Sequence, residues 1–121
     1  MQTYDPFAIV VVPFPFTDST KNKNRPALVI SSVKFQAHTQ HACLLMITSA
    51  KHSNWYGDQE IVDLSASGLT VASVVRQKLF TIDMRLIKKQ IGKLSALDQQ
   101  HVVNMTQQHL SHFSENASFS H

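Results

Sequence analysis

The sequence predicts a small, mainly β domain with one C-terminal α-helix, built as a strongly curved SH3-like barrel of five to seven strands. Three observations carry this. A chain of 121 residues with 43% hydrophobic content can bury one core and is too short for two ordinary domains. Its apolar residues fall in short runs rich in Val, Ile and Leu, set apart by turn formers. A helix-start pattern occurs near the end, at Ser95 to Asp98.

The elements follow in order. Ile9 to Val12 is a β-branched run without polar relief, which predicts a strand buried on both faces. Pro13 and Pro15 are expected to end its pairing. Thr17 to Asn24 holds turn formers and no apolar residue, and reads as an exposed, mobile loop of the kind that often carries function. Pro26 to Ser31 and Cys43 to Thr48 are two further strands, each ending in a hydroxyl residue, with a polar loop containing His38 and His41 between them. Glu60 to Leu64 alternates as a half-buried strand, and Ser65 to Thr70 forms a turn around Gly68. Ser73 to Phe80 is another strand, in which the two-residue period puts Arg76 and Lys78 on one side. Leu86 to Leu94 fits a short helix or a bent strand; the strand is favoured, with Gly92 at a bulge. Ser95 and Asp98 then resemble a capping box opening a helix that carries Leu97, Val102, Met105, His109 or Leu110, and Phe113 on roughly one face. The domain is expected to span residues 1–113, with a disordered tail over 114–121.

Lys and Arg number 11 against 8 acidic residues, a formal charge of +3 and a pI near 9.2. So small a surplus suits a polyanion and equally suits ordinary solvation. The lone Cys43 excludes an internal disulfide and fits a reducing compartment; in an apolar run it reads as a core residue before a nucleophile. No apolar stretch is long enough to cross a bilayer and the start lacks the pattern of a signal peptide, so cytoplasmic residence is expected. His101, His109 and His112 include an i, i+3 pair, but no carboxylate or cysteine completes a metal site, and none is expected.

Five blocks in register carry a resemblance: Val12-Pro13-Phe14-Pro15-Phe16-Thr17-Asp18, Arg25-Pro26-Ala27-Leu28-Val29-Ile30-Ser31, Ile47-Thr48-Ser49, Ser73-Val74-Val75-Arg76 with Leu79-Phe80-Thr81-Ile82-Asp83, and Ile91-Gly92-Lys93-Leu94-Ser95. Together they resemble the MazF/PemK-like toxins of type II toxin-antitoxin systems, over residues 7 to about 110. The resemblance implies an SH3-like barrel, a homodimer, and cleavage of single-stranded RNA at preferred sequences without a metal or other cofactor. It also implies a small antitoxin whose extended, acidic tail covers a basic groove.

Carried over residue by residue, the resemblance makes Arg25 and Thr48 the catalytic pair. The assignment is chemically sound. Attack of a ribose 2′-hydroxyl on its own phosphate gathers negative charge, which a permanently protonated planar guanidinium can hold. Pro26 disfavours helical backbone at Arg25, and Thr48 can donate one hydrogen bond to the phosphate or orient the attacking hydroxyl. Without the resemblance, Arg25 would be an ordinary surface ion-pair residue and Thr48 an ordinary strand residue. Ser49, Thr17, Lys21, Lys23, Arg76 and Lys78 are candidates for the RNA groove, with Phe16 or Trp55 offering a ring to a splayed base. His38, His41 and His52 have the intrinsic pKa of a general base and are expected in loops near the site.

The sequence departs from the family pattern in two places. Phe7-Ala8 stand where many members have Gly and an acidic residue, and Pro15 stands where some branches have Asp. These departures are expected to alter specificity before activity. Two other functions fit the same barrel: a non-enzymatic gyrase-poisoning toxin, whose relatives depend on an extreme C-terminus unlike the polar end here, and an inactive barrel acting as a binding module.

Overall fold

The computed structural model describes residues 2–14 and 23–111. Phe16, Thr17, Lys21, Pro15 and the expected tail lie outside the described residues. Six strands, β1 (Ala8–Phe14), β2 (Lys23–Val29), β3 (His41–Ser49), β4 (Gln59–Glu60), β5 (Ser73–Asp83) and β6 (Lys89–Lys93), form one curled half-barrel sheet in the order β4-β5-β3-β2-β1-β6. Among the described residues three α-helices accompany it: α1 (Val33–Thr39), α2 (Leu64–Ser67) and α3 (Ala96–His109). Among the described residues no helix is long and apolar enough to cross a membrane.

The two-residue period sorts the apolar residues onto two faces. Val10, Val12, Ala27, Val29 and Leu44 fill one core with Ile82 and Met84. Ile9, Leu28, Leu45, Ile47 and Val75 fill the other, beneath Val102 of α3. The run from Ile9 to Val12 therefore serves both cores, as its unbroken apolar character predicts.

Several sequence expectations need correction. Pro13 does not end β1: it is buried and pairs with Asn24. The last pair between β1 and β6 is Val11 with Lys89, so among the described residues Pro13 pairs on one side alone, and its missing N–H costs no bond to β6. β2 begins at Lys23, earlier than its apolar run, because Lys23 and Asn24 pair with Phe14 and Pro13. The expected loop around His38 is the helix α1, opened by the Ser32 hydroxyl accepting from the Phe35 N–H and closed by Gln40 at φ 57. Glu60 to Leu64 is not a strand: β4 ends at Glu60, and Asp63 caps α2 by accepting from the Ala66 N–H.

The bulge expected near Gly92 is present, since Ile9 pairs with Gly92 and Val10 with Gln90. A Cβ on Gly92 would stand 2.2 Å from the Ser67 carbonyl oxygen, so only glycine lets α2 lie this close to β6. Ser95 caps α3, accepting from the Asp98 N–H. Asp98 does not complete the box. Its buried carboxylate instead accepts from the Val62 and Asp63 N–H groups, each at 2.9 Å, and so ties α3 to the segment after β4. Leu97, expected on the inward face, is 56% exposed.

Candidate RNA-cleaving site

The β2–β3 ladder runs Val29 to Leu44, Leu28 to Leu45 and Ala27 to Met46, and stops where Pro26 has no N–H to give. Arg25 and Thr48 hold corresponding positions two residues beyond the last pair, one on each strand. By the two-residue period both project on the face that carries Ala27, Val29 and Leu44. The pair thus sits where an apolar sheet face turns polar at its end.

Arg25 is half-buried, with its guanidinium carbon 5.3 Å from the centre of the Phe14 ring, a cation–π contact. Its Nε is buried and has no hydrogen-bond partner among the described residues. A buried donor left unsatisfied costs free energy until an acceptor arrives, so this arrangement favours an anion. Lys23, exposed and opposite Phe14, lies on the same face of β2 as Arg25.

Across β3, Thr48 pairs with Val74 and Met46 with Arg76, which makes Arg76 the diagonal neighbour of Thr48, roughly 7–8 Å away. Arg76 is already committed. It grips Asp58 with two bonds, Nε to Oδ1 at 3.1 Å and Nη2 to Oδ2 at 2.9 Å. The Asp58 carboxylate, chiefly through that hydrogen bonding, raises the Arg76 pKa above its ordinary value. Both Arg76 and Lys78 meet the Trp55 ring, at 5.7 and 5.3 Å, as their expected common side implies. Ser49 is different: it follows Thr48, so its side chain leaves the opposite face, and its hydroxyl accepts from the Lys51 N–H at the start of a 3-10 turn over Ala50–His52.

The histidines divide. His41 begins β3 and Thr48 nearly ends it, about 23 Å away at 3.3 Å per residue. His38, in the last turn of α1, lies at that same far end. Neither is near the Arg25 end, contrary to expectation, because α1 hands the chain from the end of β2 to the start of β3. His52 has its backbone just beyond Ser49. Among the described residues no three His, Cys, Asp or Glu side chains gather as a metal site.

Two contributors escaped the sequence reading. Phe14 carries part of the resemblance but no role follows from its residue type, and its contact with Arg25 follows from the extension of β1 past Pro13. Asp58 was not singled out at all, since no periodicity marks a loop carboxylate as the partner of a strand arginine.

The model of the PemK-like, MazF-like toxins of type II toxin-antitoxin systems matches residues 5–110. The chain belongs to this family. Solved structures agree in fold. A MazF from Deinococcus radiodurans superposes with a TM-score of 0.71 at 18% identity, covering 92% of this chain and 99% of that one. The Mycobacterium tuberculosis toxin MazF-mt6 gives 0.68 at 21% identity, covering 86% and 96%. An endoribonuclease in complex with its cognate antitoxin, from a mycobacterial species, gives 0.70 at 12% identity, covering 92% and 96%. No curated protein matches the chain in sequence. The MazF fold therefore holds in this family member although few residues are shared with these structures, and the two-core sheet described above is its framework.

Proposed function

We propose that this toxin is an endoribonuclease that cuts single-stranded RNA, with Arg25 and Thr48 as its catalytic residues. The observation that carries the reading is the buried Arg25 Nε, unpartnered among the described residues, in line with Thr48 at the polar end of the sheet. In the proposed step the 2′-oxygen of a ribose forms a bond to the adjacent phosphorus, its proton passes to a base, and the 5′-oxygen leaves. The product is a 2′,3′-cyclic phosphate. Arg25 holds the charge that builds on the non-bridging oxygens, and Thr48 donates to the same phosphate or aligns the 2′-hydroxyl. The nucleophile belongs to the substrate, so the reaction needs no metal-bound water. Lys23 and Lys78 guide the strand. Thr17, Lys21 and Phe16 belong to the same proposal as groove candidates.

Membership in a toxin-antitoxin family, with solved relatives in complex with a cognate antitoxin, supports an antitoxin as the natural partner. An extended acidic segment laid over Lys23 and Arg25 would block the strand's path. The reading also includes a homodimer and cytoplasmic action on mRNA.

The deciding experiment incubates purified protein with single-stranded RNA in a chelator and analyses the fragment ends. Cyclic phosphate ends at recurrent sequences are expected. Arg25→Ala should lower the rate by about a hundredfold or more at unchanged thermal stability. Intact RNA, or full activity in Arg25→Ala, overturns the assignment. DNA breaks with trapped gyrase and untouched RNA would point to the gyrase-poisoning alternative.

A further inference from the structure

The loop from the Ala50–His52 turn to β4 holds an aromatic residue in an arrangement that core packing does not explain. Trp55 is 44% exposed, and Tyr56 beside it is 85% exposed. A large ring left this open to water does little for a core. Yet the loop around it is fixed at several points. Asp58, whose side chain is 3% exposed, accepts two bonds from Arg76 and a third from the Ser53 hydroxyl at 3.1 Å, and its N–H donates to the Trp55 carbonyl. Gly57, at φ +90, lies under α3: a Cβ there would stand 2.5 Å from the His109 ring. His109 is itself held by a 2.8 Å bond between its Nδ1 and the Met105 carbonyl, and its ring meets that of Tyr56 edge-on.

The ring's neighbours are as telling as its exposure. Arg76 and Lys78 rise from β5 against it. Arg76 is also the diagonal neighbour of Thr48, so the ring stands next to the proposed cleavage site. Arg76 is balanced by Asp58, whereas Lys78 has no ion-pair partner among the described residues. An open aromatic surface beside an unbalanced cation matches the two needs of a single-stranded nucleotide, a stacking partner for the base and a positive charge for the phosphate.

We infer that the Trp55 indole is a nucleobase platform, set in place before RNA binds, and that it favours the more strongly stacking bases beside the cleaved bond. This rests on the endoribonuclease reading for its substrate. Asp58, Arg76 and Gly57 are positioning residues: they act by holding the ring. Preorganisation matters here because a base stacks on a ring that is already fixed without the cost of ordering it.

Trp55 is the chain's single tryptophan, so its fluorescence reports on this site alone. The test titrates the full-length protein with 2′-O-methylated single-stranded oligonucleotides, which cannot be cut, and with an abasic strand of equal length. Base-bearing strands should quench Trp55 emission at saturation, and the abasic strand should bind without quenching. Equal quenching by the abasic strand, or none by any base-bearing strand, overturns the platform. In a second arm, labelled strands are bound to Trp55→Ala and Trp55→Phe. The alanine variant should lose about fivefold or more in affinity for base-bearing strands, keep its affinity for the abasic strand, and recover largely in the phenylalanine variant. Fragment ends cut by Trp55→Ala should show a broader sequence preference. Unchanged affinity and unchanged cut sites overturn the inference while leaving the endoribonuclease reading intact. Quenching by bases in a protein that leaves natural RNA whole would overturn that reading and keep the platform.

Discussion

Thr48 and Phe7 show how much a single side chain can decide. If the Thr48 hydroxyl donates to the reacting phosphate, Thr48→Val keeps the branched shape that suits β3 and removes only the donor. The catalytic rate should then fall by about a hundredfold with the melting temperature unchanged, and Thr48→Ser should restore most of it. Steady-state kinetics beside thermal melts checks this, and wild-type rates in Thr48→Val would remove the residue from the mechanism. Phe7 stands where the resemblance leads one to expect glycine, and its φ is 73, in the left-handed region. That departure was legible in the sequence, since an expected glycine marks a left-handed position, but the packing that holds a phenylalanine there was not. The ring packs against the core under α3 and lines an apolar groove of about 380 Å³ with Ile30, Val102 and Leu110. This groove is on the opposite face of the sheet from Arg25. Both Phe7→Ala and Phe7→Gly lose the ring, and only alanine keeps the strain. Glycine should therefore be the more stable of the two by about 1 kcal/mol, the reverse of the usual order in a strand. Denaturant melts giving alanine the advantage would show that Phe7 is not strained.

At the scale of elements, capping residues explain both what the sequence revealed and what it hid. The start of α3 was readable because Ser95 and Asp98 have the spacing of a box, yet Asp98 spends its carboxylate on two N–H groups about 35 residues away in sequence. Asp98→Ala leaves both donors without that acceptor and should cost about 3 kcal/mol; Asp98→Asn, with one carbonyl oxygen, should cost about half as much. Urea melts test this, and a loss below about 1 kcal/mol in the alanine variant would mean the segment after β4 finds other partners. α1 went unread for a tertiary reason. It is held by the fully buried Gln36, whose amide bonds the Tyr4 N–H and carbonyl and the Ser31 carbonyl, and a polar residue in a short polar segment gives no hint that it is a core clamp. The 3-10 turn over Met84–Leu86 offers a pH test. Arg85, chiefly through its side-chain hydrogen bonds, lowers the Asp83 carboxyl from 3.8 to about 2. Because the folded value is the lower one, the contribution is complete above about pH 4 and is lost as pH falls toward 2. Arg85→Ala should return the Asp83 midpoint toward the ordinary range in a carboxyl NMR titration. A midpoint still near 2 would assign the shift to the backbone N–H.

For the molecule as a whole, β1, β2, β3 and β5 were legible because their apolar runs fill the two cores, and the described parts of the five blocks lie on strands or at their ends. The site was legible as residue types but not as geometry: pairing puts Arg25 level with Thr48, while α1 carries His38 and His41 to the far end. The same geometry sets where part of the chain's modest surplus of positive charge lies. A formal charge of +3 is too small to capture RNA by a diffuse field, but Lys23 and Arg25 share one face at the end of β2, Lys78 stands mid-way along β5, and Arg76 is neutralised by Asp58. If those three each meet a phosphate, the logarithm of RNA affinity should fall against the logarithm of salt with a slope of about −2, at roughly −0.7 per phosphate on a single strand. Lys23→Ala should flatten the slope by about 0.7 and weaken every RNA sequence alike, whereas Trp55→Ala should leave the slope alone and change affinity according to base. Binding measured across a salt series separates the two. A slope near zero in the wild type would mean that charge does not hold the strand, and that Lys23 merely keeps the start of β2 in water.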